Sequence, residues 1–150
     1  MMIDRSTAAF ETGENGEQAV KELLQKRGWD VISGDPGGPD LIVEGNVTVE
    51  VKTANLSGRT DQSGFRWQFS LISHLDHQKP FDEDLLILRC LSDPPQHFII
   101  PGCLVHYKLT KIDITYKNPQ KYHGRWAEFR EAWELGDLVI AGYLWIESPP

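Results

Sequence analysis

The sequence predicts an α/β domain, a mixed β-sheet flanked by helices. Three observations carry this: a long helical pattern near the N-terminus, three short strand-like segments directly after it, and a continuous apolar run from Leu85 to Leu91 followed by further mixed elements. At 150 residues the chain suits one domain, residues 1–150, and 40% hydrophobic residues are enough for a core.

The first helix is expected from Ser6 to Arg27, capped by Ser6 or Thr7 and stopped by Gly28. Ala9, Gly13, Gly16, Val20, Leu23 and Leu24 recur at helical spacing. A glycine inside a helix costs about 1 kcal/mol relative to alanine, so the two here call for a close backbone approach to a sheet or ligand. Trp29 to Ile32 reads as a short strand, and Ser33 to Gly38 as a loop. Asp40 to Val43 and Val47 to Lys52 read as strands joined by a tight turn at Glu44-Gly45-Asn46. Ala54 to Ser63 is polar and expected to be mobile. Phe65 to Leu71 alternates as a strand, and Leu85 to Leu91 reads as a strand buried on both faces. His97 to Ile100 and Ile112 to Thr115 are shorter strands. Arg125 to Leu135 reads as an amphipathic helix with Trp126, Phe129, Ala132 and Trp133 on one face, and Val139 to Trp145 as a last strand.

The net charge is −7, unhelpful for a protein that would bind phosphate. Its distribution is uneven. Residues 1–50 carry ten acids against four bases, a local net of −6; residues 105–126 carry Lys108, Lys111, Lys117, Lys121 and Arg125 against Asp113 alone, a local net of +4. The first region could hold a cation and the second a phosphate backbone. Tyr107, Tyr116, Tyr122 and Trp126 interleave the basic stretch, a pattern that suits strand binding and base stacking as well as ordinary packing. Cys90 and Cys103 make neither a disulfide framework nor a zinc motif. No secretion signal is visible at Met1–Arg5 and no run approaches a membrane span, so a cytoplasmic protein with no membrane partner is expected. His74-Leu75-Asp76-His77 has no supporting ligand pattern and reads as a solvated loop.

The chemistry concentrates between Glu17 and Lys52. Glu50 and Lys52, two apart on a strand, share a face. Asp40 and Glu50 are each five residues from Gly45, so a hairpin centred there sets them opposite one another. Two adjacent carboxylates resist joint ionisation, and a divalent cation resolves that conflict. Magnesium takes one or two protein carboxylates and leaves sites for water and phosphate. A lysine beside it can hold or help deprotonate water.

Pro39-Asp40 followed by Glu50-Val51-Lys52 resembles the signature of the PD-(D/E)xK nucleases. Gly13-Glu14-Asn15-Gly16-Glu17-Gln18-Ala19, then Leu23-Leu24 and Gly28 to Ile32, is similar to the opening helix of their Holliday-junction-resolvase-like branch. The resemblance is firm over about residues 10–54. It implies a restriction-endonuclease-like core and Mg2+-dependent DNA cleavage, with Mn2+ as substitute. It implies Asp40, Glu50, Val51 and Glu17 as the metal set, Lys52 as the residue that positions water, and Gln68 as a polar residue near the scissile phosphate. Glu17 is preferred to Glu14 because it lies in line with Leu24 at the edge of the buried face. DNA is the expected partner, and a homodimer or higher homo-oligomer the expected assembly; junction, homing and defence nucleases all fit. The alternative from another class is a non-catalytic DNA-binding or assembly module on the same fold.

Overall fold

The computed structural model describes residues 5–56, 59–60, 64–71, 81–105, 109–116 and 124–143, with side chains from Asn15 onward except at 59–60, 64–65 and 116. Helix α1 spans Arg5–Lys26. It is followed by β1 (Val31–Ser33), β2 (Leu41–Val43), β3 (Val47–Ala54), β4 (Arg59–Thr60), β5 (Gly64–Ser70), β6 (Leu85–Cys90), β7 (Gln96–Pro101), β8 (Lys111–Tyr116) and α2 (Trp133–Ile140).

The strands form a five-stranded sheet in the order β1-β2-β3-β6-β7 and a three-stranded sheet in the order β4-β5-β8. In the larger sheet β3 and β6 are parallel and the other neighbours antiparallel, so the sheet is mixed as expected. Its two faces meet different layers. Val49, Val51, Leu85, Ile87 and Ile99 pack against Val20 and Leu24 of α1 and Ile140 of α2. Leu86, Leu88, Phe98 and Ile100 pack against Trp67, Phe69, Ile112 and Ile114 of the smaller sheet. Strand β6 is buried on both sides because each face carries a layer, which is why its sequence shows no alternation.

The Gly16 expectation is met. A Cβ there would lie 1.8 Å from Thr53 Oγ1, so the bare backbone lets α1 approach the end of β3. Gly28, at φ +96°, ends the helix as a left-handed residue. The hairpin is centred on Gly45, with Leu41 opposite Val49 and Val43 opposite Val47.

Two expectations are corrected at the C-terminus. Arg125 to Leu135 is not one helix: a 3-10 turn covers Ala127–Phe129, and α2 begins only at Trp133. Val139 and Ile140 belong to α2, not to a strand. The break lies at Glu131, whose φ is +49°. Its N–H donates to the His97 carbonyl at 2.7 Å, while its carboxylate accepts from the His97 N–H at 2.7 Å. Pairing with β7 thus outweighs helix propensity. It also splits the predicted face: Trp126 and Phe129 join the core between the sheets, whereas Ala132 and Trp133 pack on the helical side. The polar segment after β3 contributes β4, paired with β5. His74 to His77, Tyr107, Lys108, Lys117, Lys121 and Tyr122 lie outside the described residues. Cys90 and Cys103 are free thiols. No helix of the described residues is long and apolar enough to cross a membrane.

Candidate functional site

Asp40 stands at the end of a loop closed by its own strand pairing. Gly34 N–H donates to the Asp40 carbonyl at 3.0 Å. A Cβ at Gly34 would come within 1.9 Å of the Pro39 carbonyl, so a glycine is needed for that closure. The carboxylate of Asp40 then accepts from the Val51 N–H at 2.8 Å. This bond carries it across the hairpin and places it beside Glu50, continuing the β2–β3 register.

Glu50 is only 6% exposed, unusual for a carboxylate. Burial comes first among the causes that push its pKa up to about 8; Asp40 and Glu83 add to the effect, and Lys52 opposes it. In its neutral form Glu50 donates a hydrogen bond to Asp40. Lys52 Nζ lies 3.9 Å from Glu50 Oε1, a pair at the limit of an ion-pair contact. The neutral state is therefore favoured near neutral pH, and one local cation does not offset the cost of ionising Glu50.

Gln68 reaches this region from the other sheet. With Lys52, Thr53, Phe69 and Ser70 it lines an open cavity of about 300 Å³ between β3 and β5. Its amide satisfies Arg66 when turned so that the oxygen, at 3.2 Å, accepts from Arg66 Nε. Val51 contributes its N–H to Asp40, while its side chain is buried in the helix-side core. Glu17 sits half-buried on α1, one residue from the Gly16–Thr53 contact and on the helical side of the sheet. Asp40 and Glu50 thus lie side by side with Lys52 next to Glu50, Gln68 shares a cavity with Lys52, and Glu17 lies on the helical side of the sheet.

Glu83 escaped the sequence reading. It precedes β6, and its pKa is raised, first by burial and then by Asp82 and Asp40. The start of the parallel ladder places it there. Thr48 N–H donates to Asp84 Oδ2 at 2.9 Å, and Asp84 N–H donates to the Thr48 carbonyl at 3.0 Å. Asp82-Glu83-Asp84 before a buried strand was the available signal, but only the β3–β6 register joins it to Asp40.

The donor set suits a hard cation: two neighbouring carboxylates, one of them hard to ionise alone, with an amine at hand. Among the described residues no group of three or more His, Cys, Asp or Glu side chains is arranged to hold a metal ion. A cation here would keep most of its positions for water and substrate oxygens, as magnesium does.

No protein-family model matches the chain, and no curated protein matches it in sequence. Among solved structures it is similar to a bacterial homing endonuclease, I-Ssp6803I, with a TM-score of 0.66 and 21% identity over 87% of this chain and 92% of that one. The mixed α/β fold described above is therefore the fold of that homing endonuclease.

Proposed function

We propose that this chain is a metal-dependent endodeoxyribonuclease that hydrolyses phosphodiester bonds in DNA. The observation that carries the reading is the buried Glu50 carboxyl set against Asp40 at paired strand positions, with Lys52 beside it. The likeness in fold to a homing endonuclease supports it.

Asp40 and Glu50 would hold a magnesium or manganese ion, with Val51 offering only its main-chain oxygen and Glu17 supporting from α1. Such an ion supplies positive charge to the phosphate and makes water a better nucleophile at neutral pH. Lys52 orients the attacking water and carries positive charge towards the phosphate as negative charge builds there. Gln68, across the cavity from Lys52, holds a phosphate oxygen. Water attacks phosphorus in line, leaving a 5′-phosphate and a 3′-hydroxyl. A domain of this size covers little DNA, so a homodimer supplies a second site and a second binding surface. The homing-endonuclease fold and the resolvase-like opening helix both favour a nuclease that cuts defined sites or branched DNA.

The test is incubation with supercoiled plasmid, linear duplex and a four-way junction, each with magnesium, manganese or chelator. Cutting that needs the metal and is lost in Asp40→Ala and Lys52→Ala supports the reading. A protein that binds these DNAs under every condition and cuts none is instead a binding module on the nuclease fold.

A further inference from the structure

Strands β5 and β8 bury alternate residues between the sheets: Trp67 and Phe69 from one, Ile112 and Ile114 from the other. The side chains between them, Arg66, Gln68, Ser70, Lys111, Asp113 and Thr115, belong to the opposite, outward face. The register sets Arg66 opposite Thr115, Gln68 opposite Asp113 and Ser70 opposite Lys111. The result is a polar ladder, three pairs long, with no aliphatic residue in it. At about 3.4 Å per residue it runs for roughly 14 Å. The major groove of duplex DNA, about 12 Å wide, admits a two-stranded ribbon of this kind.

The ladder is organised around one cation. Arg66 meets Asp113 at 3.5 Å on one side, and on the other its Nε lies 3.2 Å from the Gln68 amide, whose oxygen accepts from it once the amide is turned over. Asp113 also lies 3.8 Å from Lys111 Nζ, so one carboxylate holds two cations in line. Strand β8 lies within the residue 105–126 stretch of local net +4, in a chain whose total is −7. The face is also continuous with the candidate active site, because Gln68 and Ser70 line the cavity that Lys52 opens onto. A protein partner would need an apolar centre, which this face lacks. Nucleic acid fits a polar, cation-bearing one.

We infer that the outward face of the β5–β8 ladder is the sequence-reading surface of this protein, seated in the major groove of duplex DNA, with Arg66 as the specificity-determining residue and Asp113 as its positioning residue. The inference rests on the nuclease reading above. Arg66 presents a guanidinium fork, the geometry that recognises guanine O6 and N7. Asp113 keeps the fork pointed and weakens non-specific attraction by neutralising part of the charge of Lys111.

The experiment uses the full chain and a library of duplexes with a randomised central region. Cut ends are sequenced after incubation in magnesium, and affinities are titrated in chelator. Arg66→Ala is expected to erase the preference at one or two G·C positions and to lower affinity for the preferred duplex about ten- to hundredfold. Arg66→Lys keeps the charge and recovers bulk affinity without the preference. Lys111→Ala weakens all duplexes alike and lowers the salt dependence by about one released counterion. Asp113→Asn raises affinity for unrelated duplexes. Wild-type cut sites and affinities retained in both Arg66→Ala and Lys111→Ala overturn the inference and leave the nuclease reading standing. A wild-type protein that binds duplex without cutting removes the nuclease reading, and the affinities of the two variants then decide the surface. A protein that neither binds nor cuts overturns both.

Discussion

Two partly buried charge clusters lie at different places on the larger sheet, and they are built in opposite ways. Around His97 the carboxylate is answered by hydrogen-bond donors. The Glu131 carboxylate accepts from the His97 N–H and from Trp133 Nε1 at 2.8 Å, and the His97 imidazole meets Arg89 at 2.8 Å through Nε2. Burial works to raise the pKa of Glu131, but the hydrogen bonds from His97 and Trp133 outweigh it and hold it low. Around Glu50 the reverse holds: burial and Asp40 push the pKa up to about 8, and Lys52 opposes them only in part. The first cluster completes itself and fastens α2 to β7. The second leaves a buried carboxyl pushed towards its neutral form, and perturbed groups of this kind gather at functional sites.

The largest effect that could break this contrast is catalytic. Lys52→Ala is expected to lower the rate of DNA cleavage by about 10²- to 10³-fold, the scale seen when one charge-stabilising group is removed. The matching change in the other cluster, Arg89→Gln, is expected to leave the rate within about threefold, since it touches no reacting group. Equal losses in the two variants, measured on the same plasmid, would erase the distinction.

Next comes stability against pH. Glu50 holds its proton more tightly in the fold, at about 8, than its ordinary value of 4.5. That contribution is fully present below pH 4.5 and is lost as pH rises through about 8. Without divalent ions the protein should therefore melt at progressively lower temperature from pH 5 to 8, while Glu50→Gln flattens the slope and is the more stable at pH 8. Adding manganese at pH 8 should raise the wild-type melting temperature and not that of the variant. A manganese effect retained by Glu50→Gln would place the ion elsewhere.

A smaller effect concerns the strand row between the clusters. Thr53 is the register partner of Arg89, and Arg89 of His97. Thr53 Oγ1 is buried without a hydrogen-bond partner and faces Gly16. Gly16→Ala should destabilise by about 1–3 kcal/mol through overpacking, despite the better helix former. Adding Thr53→Ala should recover most of that loss in a denaturant-melt double-mutant cycle. Additive losses would mean that the contact does not set the helix–sheet distance.

Smallest is Glu131→Gln. The lowered pKa of Glu131 gives stability that is present above its unfolded value and lost as pH falls through the folded one. Because that side chain is 45% exposed, screening reduces the effect to about 1 kcal/mol or less at pH 7. The wild-type advantage should fade in acid, which is where the Glu50 contribution is complete. The two clusters should thus respond to pH with opposite signs.

The sequence by itself determined the first helix, the place along the chain of every described strand but β4, and the pairing of Asp40 with Glu50. Helical spacing, strand alternation and a turn centred on Gly45 are local, and a hairpin register follows from counting residues about its turn. Gly16 was legible for the same reason, since a glycine inside a helix implies a neighbour at close range. Glu83 depends on a parallel pairing of β3 and β6 across more than thirty residues, and no local rule specifies such a register. The end of the chain was misread because Glu131 takes its conformation from bonds to His97, against the helical preference of the residues around it. The pKa of Glu50 likewise arises only when two sheets and a loop enclose it. Composition names the carboxylate, but the low dielectric that makes it chemically unusual is a property of the packed fold.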